Sequence, residues 1–411
     1  MLTSIHESRE VPVVGSYDVV VAGGGIAGVA AALAAARAGS RVCLLERYCA
    51  LGGLATIGNV IIYLPLCDGR GRQVSAGICE EFIRLSVDDV ETTLPHLRIE
   101  KIPSCWEPGG DPEERLRRRY RTGYNPVTFA YKLERLLLKN RVRILFDTRV
   151  CAVDKDGDRI RAVIVENKSG RVALACQAVV DASGDADVCH VAGEQTVSLR
   201  SNVRSGWYYV VEKGEVKLAS LTKIPRDDGR RAPESGRNYR GDDGGEVTAM
   251  ILDSRQFIME DVARRGAACG GLAYPINVPM LASFRMSRRL VGARTLRERD
   301  CHRWFDDTLG LTGDWRKPGP VYSLPLSILA AVRTPNLITA GRCISAAGRA
   351  WDVTRVIPTC AVTGEAAGAA AAALARDGLK GFGDLDVPRL QAYLKRHRVI
   401  LDPRLVKDPS A

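Results

Sequence analysis

Three glycines spaced Gly23-x-Gly25-x-x-Gly28 stand where a β-branched run from Tyr17 passes into an alanine-rich stretch. That spacing suits a dinucleotide. The first glycine allows a tight turn, the second lets backbone approach a pyrophosphate, and the third lets helix and strand pack closely. A helix starting there presents free N–H groups and a partial positive charge to phosphates. Glu46, ending the next apolar run, is placed for its carboxylate to accept hydrogen bonds from ribose hydroxyls. Leu51-Gly52-Gly53-Leu54-Ala55-Thr56 follows. It can pass beside the pyrophosphate and an attached ring, and a plain glycine turn fits those residues equally well.

A second group of candidates carries charge. Arg355 precedes an apolar, alanine-rich stretch, and its guanidinium could neutralise an electron-rich ring or hold a carboxylate substrate bidentately. Arg285, Arg288 and Arg289 would gather on one side if their stretch were helical; substrate contact, cofactor contact and interdomain salt bridging stay open for them. Pro358-Thr359-Cys360 opens the alanine-rich helix, whose N-terminal N–H groups favour negative charge in front of them. Cys360 should have a lowered thiol pKa if exposed there, yet no resolving cysteine lies near it in sequence, so packing outweighs disulfide chemistry. The five histidines are isolated, with no metal-binding spacing, and no metal site is expected. Arg117-Arg118-Arg119-Tyr120-Arg121 is the densest basic run; a solvated helical face or a bridge to Glu113 and Glu114 explains it more simply than a nucleic-acid patch.

These groups need a scaffold, and the chain supplies one. Tyr17 to Arg47 reads as a βαβ unit, with a second strand at Arg41 to Leu45 and Gly39 as the helix stop. Asn125-Pro126 opens a helix whose Phe129, Leu133, Leu136 and Leu137 share a face. Arg141 to Asp185 reads as strands broken by turns at Asp156-Gly157 and Ser169-Gly170, a β-meander ending at Ala182-Ser183-Gly184-Asp185. Asn336 to Ala340 is a short strand closing on Gly341-Arg342, and a helix runs from about Pro358 to Arg376 with Gly378 as its stop. Pro225 to Gly245 reads as a polar surface loop.

With 411 residues, 46% of them hydrophobic, the chain can bury sizeable cores, which excludes fibrous, disordered and small disulfide-scaffold classes. Its net charge of +11 keeps polyanionic ligands in view. No apolar run suggests a membrane span and no secretory signal is visible, while twelve cysteines without a Cys-x-x-Cys pair point to reduced thiols in the cytoplasm.

The blocks GGGIAG, CLLER, LGGLAT, VVDASGDAD, LITAGRCISAAG and TRVIPTCAVTGEAAGAAAAAL, within residues 11–80, 120–190 and 270–376, resemble the FAD-dependent oxidoreductase family of the glutathione-reductase-like, two-dinucleotide-binding flavoproteins. The resemblance implies an α/β fold: a Rossmann-type FAD-binding domain of parallel sheet plus β-meander, built from 14–66, 126–190 and 332–378. An α+β substrate or cap domain from 67–125 and 191–331 is inserted, and 379–411 is a C-terminal extension. It implies that Gly23, Gly25, Ile26, Ala27, Gly28 and Glu46 bind the ADP half of FAD, that backbone at Val150 meets the adenine, and that Arg47, Gly52, Gly53, Leu54, Ala55 and Thr56 line the path to the flavin. Ala182, Ser183, Gly184 and Asp185, then Gly341 and Arg342, then Pro358, Thr359 and Cys360, complete the implied cofactor set. Two departures stand out: Arg342 replaces the acidic residue that many such flavoproteins place on the ribitol, and Gly348-Arg349-Ala350-Trp351 replaces a histidine-bearing loop, so no histidine acid/base carries over.

The expectation is an FAD-dependent oxidoreductase passing hydride or electrons between a small organic substrate and the flavin. Arg285, Arg349, Trp351 and Arg355 would form the catalytic wall. The second electron carrier would be oxygen, a quinone or a partner, since no second glycine fingerprint is visible. A homo-oligomer fits as well. The alternatives are an NAD(P)-dependent dehydrogenase without flavin and an FAD-retaining nucleic-acid-binding protein.

Overall fold

The computed structural model describes residues 4–222 and 237–407. Most of the loop expected at Pro225 to Gly245 lies outside them. Its last two residues belong instead to a long helix, Gly244–Cys269, which starts because the Asp243 side chain accepts the Glu246 N–H (2.8 Å).

One sheet organises the site. Strands Arg143–Leu145, Val42–Leu45, Val13–Ala22 and Gly170–Asp181 lie side by side and parallel, and Leu337–Thr339 adds a fifth parallel strand beyond Gly170–Asp181. The first half of Gly170–Asp181 also pairs antiparallel with Arg159–Asn167, and that strand with Arg149–Asp156, which is the expected meander. Register matters most. Ala22 sits opposite Leu45 on one side and Asp181 on the other, and Asp181 sits opposite Thr339. Four strands therefore stop at one level, and the residues after them, Gly23, Glu46, Ala182 and Ala340, emerge along one edge. In a parallel α/β sheet this carboxyl edge is where ligands bind.

Two helices back this edge. Ile26–Arg37 follows the first strand, and Ile357–Arg376 runs beside it, both almost wholly buried. Their backbones approach closely because Gly364 and Gly368 present no side chain: a Cβ at either would overlap the carbonyl of Ala27 or Ala31. Ile357–Arg376 is long and apolar enough to cross a membrane by length and composition, but 94% of its most apolar window is buried within the protein, against the sheet and the neighbouring helix. The helix Pro126–Lys139 starts as its sequence predicts, with Asn125 Oδ1 accepting from Val127 N (2.9 Å) and Thr128 N (3.3 Å); Phe129, Leu133 and Leu137 are buried and Leu136 partly so.

Above the edge stands a three-stranded antiparallel sheet, Glu215–Ser220, Trp207–Glu212 and Ala273–Asn277, on which Gly244–Cys269 packs through Ile258 and Val262. A short pair, Thr196–Ser198 with Arg288–Leu290, joins it to the main sheet region. Helix Ile78–Val87 contributes Cys79 and Phe82 to the main core, as do Leu309 in strand Thr308–Gly313 and Leu324 in strand Val321–Pro325. Helix Val387–Arg396 docks here too: its Leu390 and Leu394 join the same core. The reason is physical. The two helices are amphipathic and the two strands are buried on both faces, and together they cover the flanks of the two buried helices.

Candidate active site

A cavity of about 1780 Å³ opens between the strand edge and the small sheet. Its floor is the glycine turn: Gly23, Gly25, Ile26 and Ala27 line it, while Gly28 lies beneath, where any Cβ would overlap the Gly23 carbonyl. Gly25 is the opposite case. Its Cβ would meet nothing within 4 Å, and the helix behind it has no side-chain cap, so its first N–H groups have no side-chain partner. Such an arrangement at a helix N-terminus can receive an anion.

Glu46 borders the same floor, held by backbone alone. Its Oε2 accepts the Gly24 N–H (2.7 Å) and Oε1 accepts the Tyr48 N–H (2.9 Å), and burial raises its pKa. Gly24 went unremarked in the sequence, although a Cβ there would press on Leu51 and on the Glu46 carboxylate itself. Arg47, Gly52, Gly53, Leu54, Ala55 and Val150 also face the cavity. Thr56 does not; it is buried, and its hydroxyl donates to the Leu51 carbonyl, closing the turn behind Gly52.

The turn after Gly170–Asp181 is tied by its own side chains. Asp181 Oδ1 accepts from Ser183 N (3.1 Å) and Oγ (2.6 Å), Oδ2 accepts from Cys189 N (2.9 Å), and Ser183 Oγ accepts from Asp187 N (3.0 Å). Ala182, Ser183 and Gly184 face the cavity, but Asp185 turns inward and pairs with Arg342 (3.5 Å). Burial raises the Asp185 pKa against the pull of that guanidinium. Arg342 also donates to the Phe284 carbonyl, so the residue that departs from the acidic pattern ties the strand edge to the 281–289 stretch while lining the cavity.

That stretch is not helical. Arg288–Leu290 is a strand paired with Thr196–Ser198, so Arg288 and Arg289 point to opposite sides. Arg288 donates to the Asp185 carbonyl (2.8 Å) and pairs with Asp187 (2.6 Å); Arg289 lies 5.8 Å over the Trp351 ring. Arg285 reaches the cavity, its Nε donating to Ser205 Oγ (3.3 Å). Burial, then the nearby Arg355 and Arg342 charges, lower its pKa to about 9. Arg355 lines the cavity too, pairs with Asp352, and has a buried Nε without a partner.

Two members of the expected wall stand elsewhere. Arg349 is on the surface, paired with Glu298 (2.8 Å), because the helix Gly348–Thr354 turns it outward. Trp351 is buried behind the wall, its Nε1 donating to the Arg342 carbonyl (2.7 Å). At the start of Ile357–Arg376 only Ile357 and Cys360 face the cavity; Pro358 is packed, and Thr359 is bonded to Thr312 (2.7 Å). Cys360 is not activated. Burial pushes its thiol up to about 12.

The sequence reading missed Trp207 and Trp315, which line the cavity from the small sheet and from the loop after Thr308–Gly313. The basic run, expected as a solvated helical face or a bridge to Glu113 and Glu114, has Arg117 at the end of helix Pro112–Arg117 and keeps Arg117, Arg118 and Arg121 exposed, while Arg118, Arg119, Tyr120 and Arg121 border the cavity. Arg118 does bridge to Glu114 (3.4 Å), and to Glu100. No sequence signal marked the two tryptophans, because their contacts depend on segments folded together from far along the chain. Among the described residues, no group of three or more His, Cys, Asp or Glu could hold a metal ion.

In solved structures the chain is similar to a geranylgeranyl bacteriochlorophyll reductase-like protein from Thermoplasma acidophilum (12% identity, 95% of this chain and 90% of that one, TM-score 0.42). It is also similar to 3-ketosteroid-delta4-(5alpha)-dehydrogenase from Rhodococcus jostii RHA1 (16%, 88% and 97%, TM-score 0.40) and p-nitrophenol 4-monooxygenase PnpA from Pseudomonas putida DLL-E4 (15%, 96% and 83%, TM-score 0.40). Likeness this distant carries no argument about chemistry. No curated protein matches in sequence. The model of the FAD dependent oxidoreductase family matches residues 18–204 and 245–394, most of the chain. That match removes the flavin-free NAD(P) alternative: the chain belongs to the FAD dependent oxidoreductase family, and FAD is its cofactor.

Proposed function

We propose that this enzyme moves a hydride between FAD and a small organic substrate, both held in the cavity beneath the small sheet. One observation carries the reading: four strand ends in register release their loops along a single cavity of about 1780 Å³. That space exceeds the roughly 300–1,000 Å³ of a typical single-ligand pocket, leaving room for a second molecule beside the cofactor.

The donor set fits FAD. The open space over Gly25 and the uncapped N–H groups behind it would receive the pyrophosphate. Glu46, with both oxygens already oriented by backbone, would accept from a ribose hydroxyl, and backbone at Val150 would border the adenine. Ala182, Ser183 and Gly184 on one side, and Gly341 and Arg342 on the other, would flank the chain leading to the ring. Gly28, Thr56, Asp185, Pro358 and Thr359 would act from behind, by packing or by holding these residues. When bound, FAD supplies a reversible hydride acceptor. The protein's part is to orient substrate against that ring, exclude water with Trp207 and Trp315, and set the local charge through Arg285, Arg342 and Arg355. Oxygen, a quinone or a partner protein would then serve as second carrier. A cytoplasmic setting is supported by the twelve free thiols, most of them buried.

The test is to reduce the FAD-loaded enzyme anaerobically and offer oxygen, a soluble quinone and NAD(P)+ separately. The reading expects oxygen or quinone to restore the visible flavin band. Restoration by NAD(P)+ alone would overturn it in favour of a nicotinamide partner.

A further inference from the structure

We propose that Arg285, Arg342 and Arg355 form an anion-receiving site within the cavity, and that the substrate carries a carboxylate that docks there. The inference rests on the reading above, that the cavity holds a small substrate beside FAD.

The three guanidiniums come from separate places: the stretch before Arg288–Leu290, the turn after Leu337–Thr339, and the end of helix Gly348–Thr354. All three line the cavity, near enough for Arg342 and Arg355 to disfavour the charge on Arg285. Two carboxylates answer them in part. Asp185 pairs with Arg342, and Asp352 pairs with Arg355 but is shared with Arg316 (3.1 Å). Arg285 has no ion-pair partner among the described residues; its guanidinium is met only by the Ser205 hydroxyl, and Asp352 helps it from a distance. The Arg355 Nε is buried and without a hydrogen-bond partner.

A cationic cluster of this kind is costly to bury alone, and like charges in a site of low dielectric repel strongly. It is stable once an anion enters, and a carboxylate matches the planar guanidinium fork better than any neutral group. The pyrophosphate of FAD already has a seat at the open Gly25 turn, so the arginines are left for a second anion. Arg285 does the docking, being the one without a carboxylate; Arg342 and Arg355, each steadied by its aspartate, set the positive field around it. Trp351 steadies Arg342 from behind by donating to its carbonyl.

Benzoate, added to the FAD-loaded enzyme at constant ionic strength with chloride as control, provides the test. Its binding is followed by the shift of the visible flavin band. The proposal expects saturable binding in the parent enzyme, at least about 30-fold weaker binding in Arg285→Gln with the FAD content unchanged, partial recovery in Arg285→Lys, and parent-like binding in Arg349→Gln. Binding in Arg285→Gln within threefold of the parent, or a parent spectrum that benzoate leaves untouched, would overturn it. Loss of FAD from Arg285→Gln would also overturn it, by assigning the arginine to the cofactor. A parent protein that takes up no FAD would instead sink the underlying reading.

Discussion

The floor and the wall of the cavity are built by different means. The floor, from Gly23 to Gly28 with Glu46 and Ala182 to Gly184, is made of backbone and small residues fixed by the register of one sheet. The wall, with Arg285, Arg355, Trp207 and Trp315, is made of long side chains brought together from segments distant in sequence. A floor of this kind holds a shape that many flavoproteins share, because pyrophosphate and ribose do not change from one enzyme to the next. The wall must suit one substrate, so its residues follow no general spacing.

This contrast can be broken most forcefully from below. Gly28→Val places side-chain atoms on the Gly23 carbonyl, and overpacking of that severity should cost ~3 kcal/mol or more; chemical denaturation should find little folded protein, and a parent-like midpoint would contradict the close approach.

Glu365, behind the floor in Ile357–Arg376, gives the next effect. Burial raises its carboxyl pKa to about 8, although its Oε2 accepts the Ile78 N–H (2.8 Å). A carboxyl raised in the folded state favours folding fully below its unfolded value and loses that contribution as pH rises through about 8. Glu365→Gln should therefore raise stability at pH 9 by roughly 2–4 kcal/mol relative to the parent, with the difference vanishing near pH 4. Equal shifts at both pH values would show that the carboxyl titrates alike in the folded and unfolded chain.

At the wall the effects are smaller. Trp351→Phe removes the donor to the Arg342 carbonyl but keeps most of the packing; stability should fall by about 1 kcal/mol with FAD content unchanged, as thermal unfolding and released flavin would record. Arg349→Ala breaks an exposed pair with Glu298 and should move stability by less than about 0.5 kcal/mol, with turnover unaffected. A large loss of activity there would restore Arg349 to the site.

The sequence announced the floor well for the same reason that the floor is general. The glycine spacing, Glu46 at a strand end and Asp181 before a turn are local patterns, and local patterns survive in a single sequence. It also placed the parallel sheet, the meander and the capped helix at Asn125. It did not reveal Gly244–Cys269, whose buried side is a narrow stripe with Leu252 and Met259 left exposed. It misplaced Arg349 and Trp351, because one turn of helix sends neighbours in opposite directions, and only tertiary packing decides which faces the cavity. The arginines at 288 and 289 were read at helical spacing and proved to alternate across a strand. Arg118 and Arg121 are exposed, as their charge suggested, and with Arg119 and Tyr120 they also border the cavity.

The central claim is that the open turn at Gly25 seats the cofactor, and Gly25→Val tests it most directly. The backbone there is extended (φ −65°, ψ 175°) and a Cβ meets nothing, so the variant should fold with the parent's circular dichroism and with the melting temperature of the FAD-stripped parent. Measured after denaturation, released FAD should be about one per chain in the parent and below about a tenth of that in the variant, since the added methyls occupy the space at the helix N-terminus. A folded Gly25→Val that retains the parent's full FAD content would contradict the account.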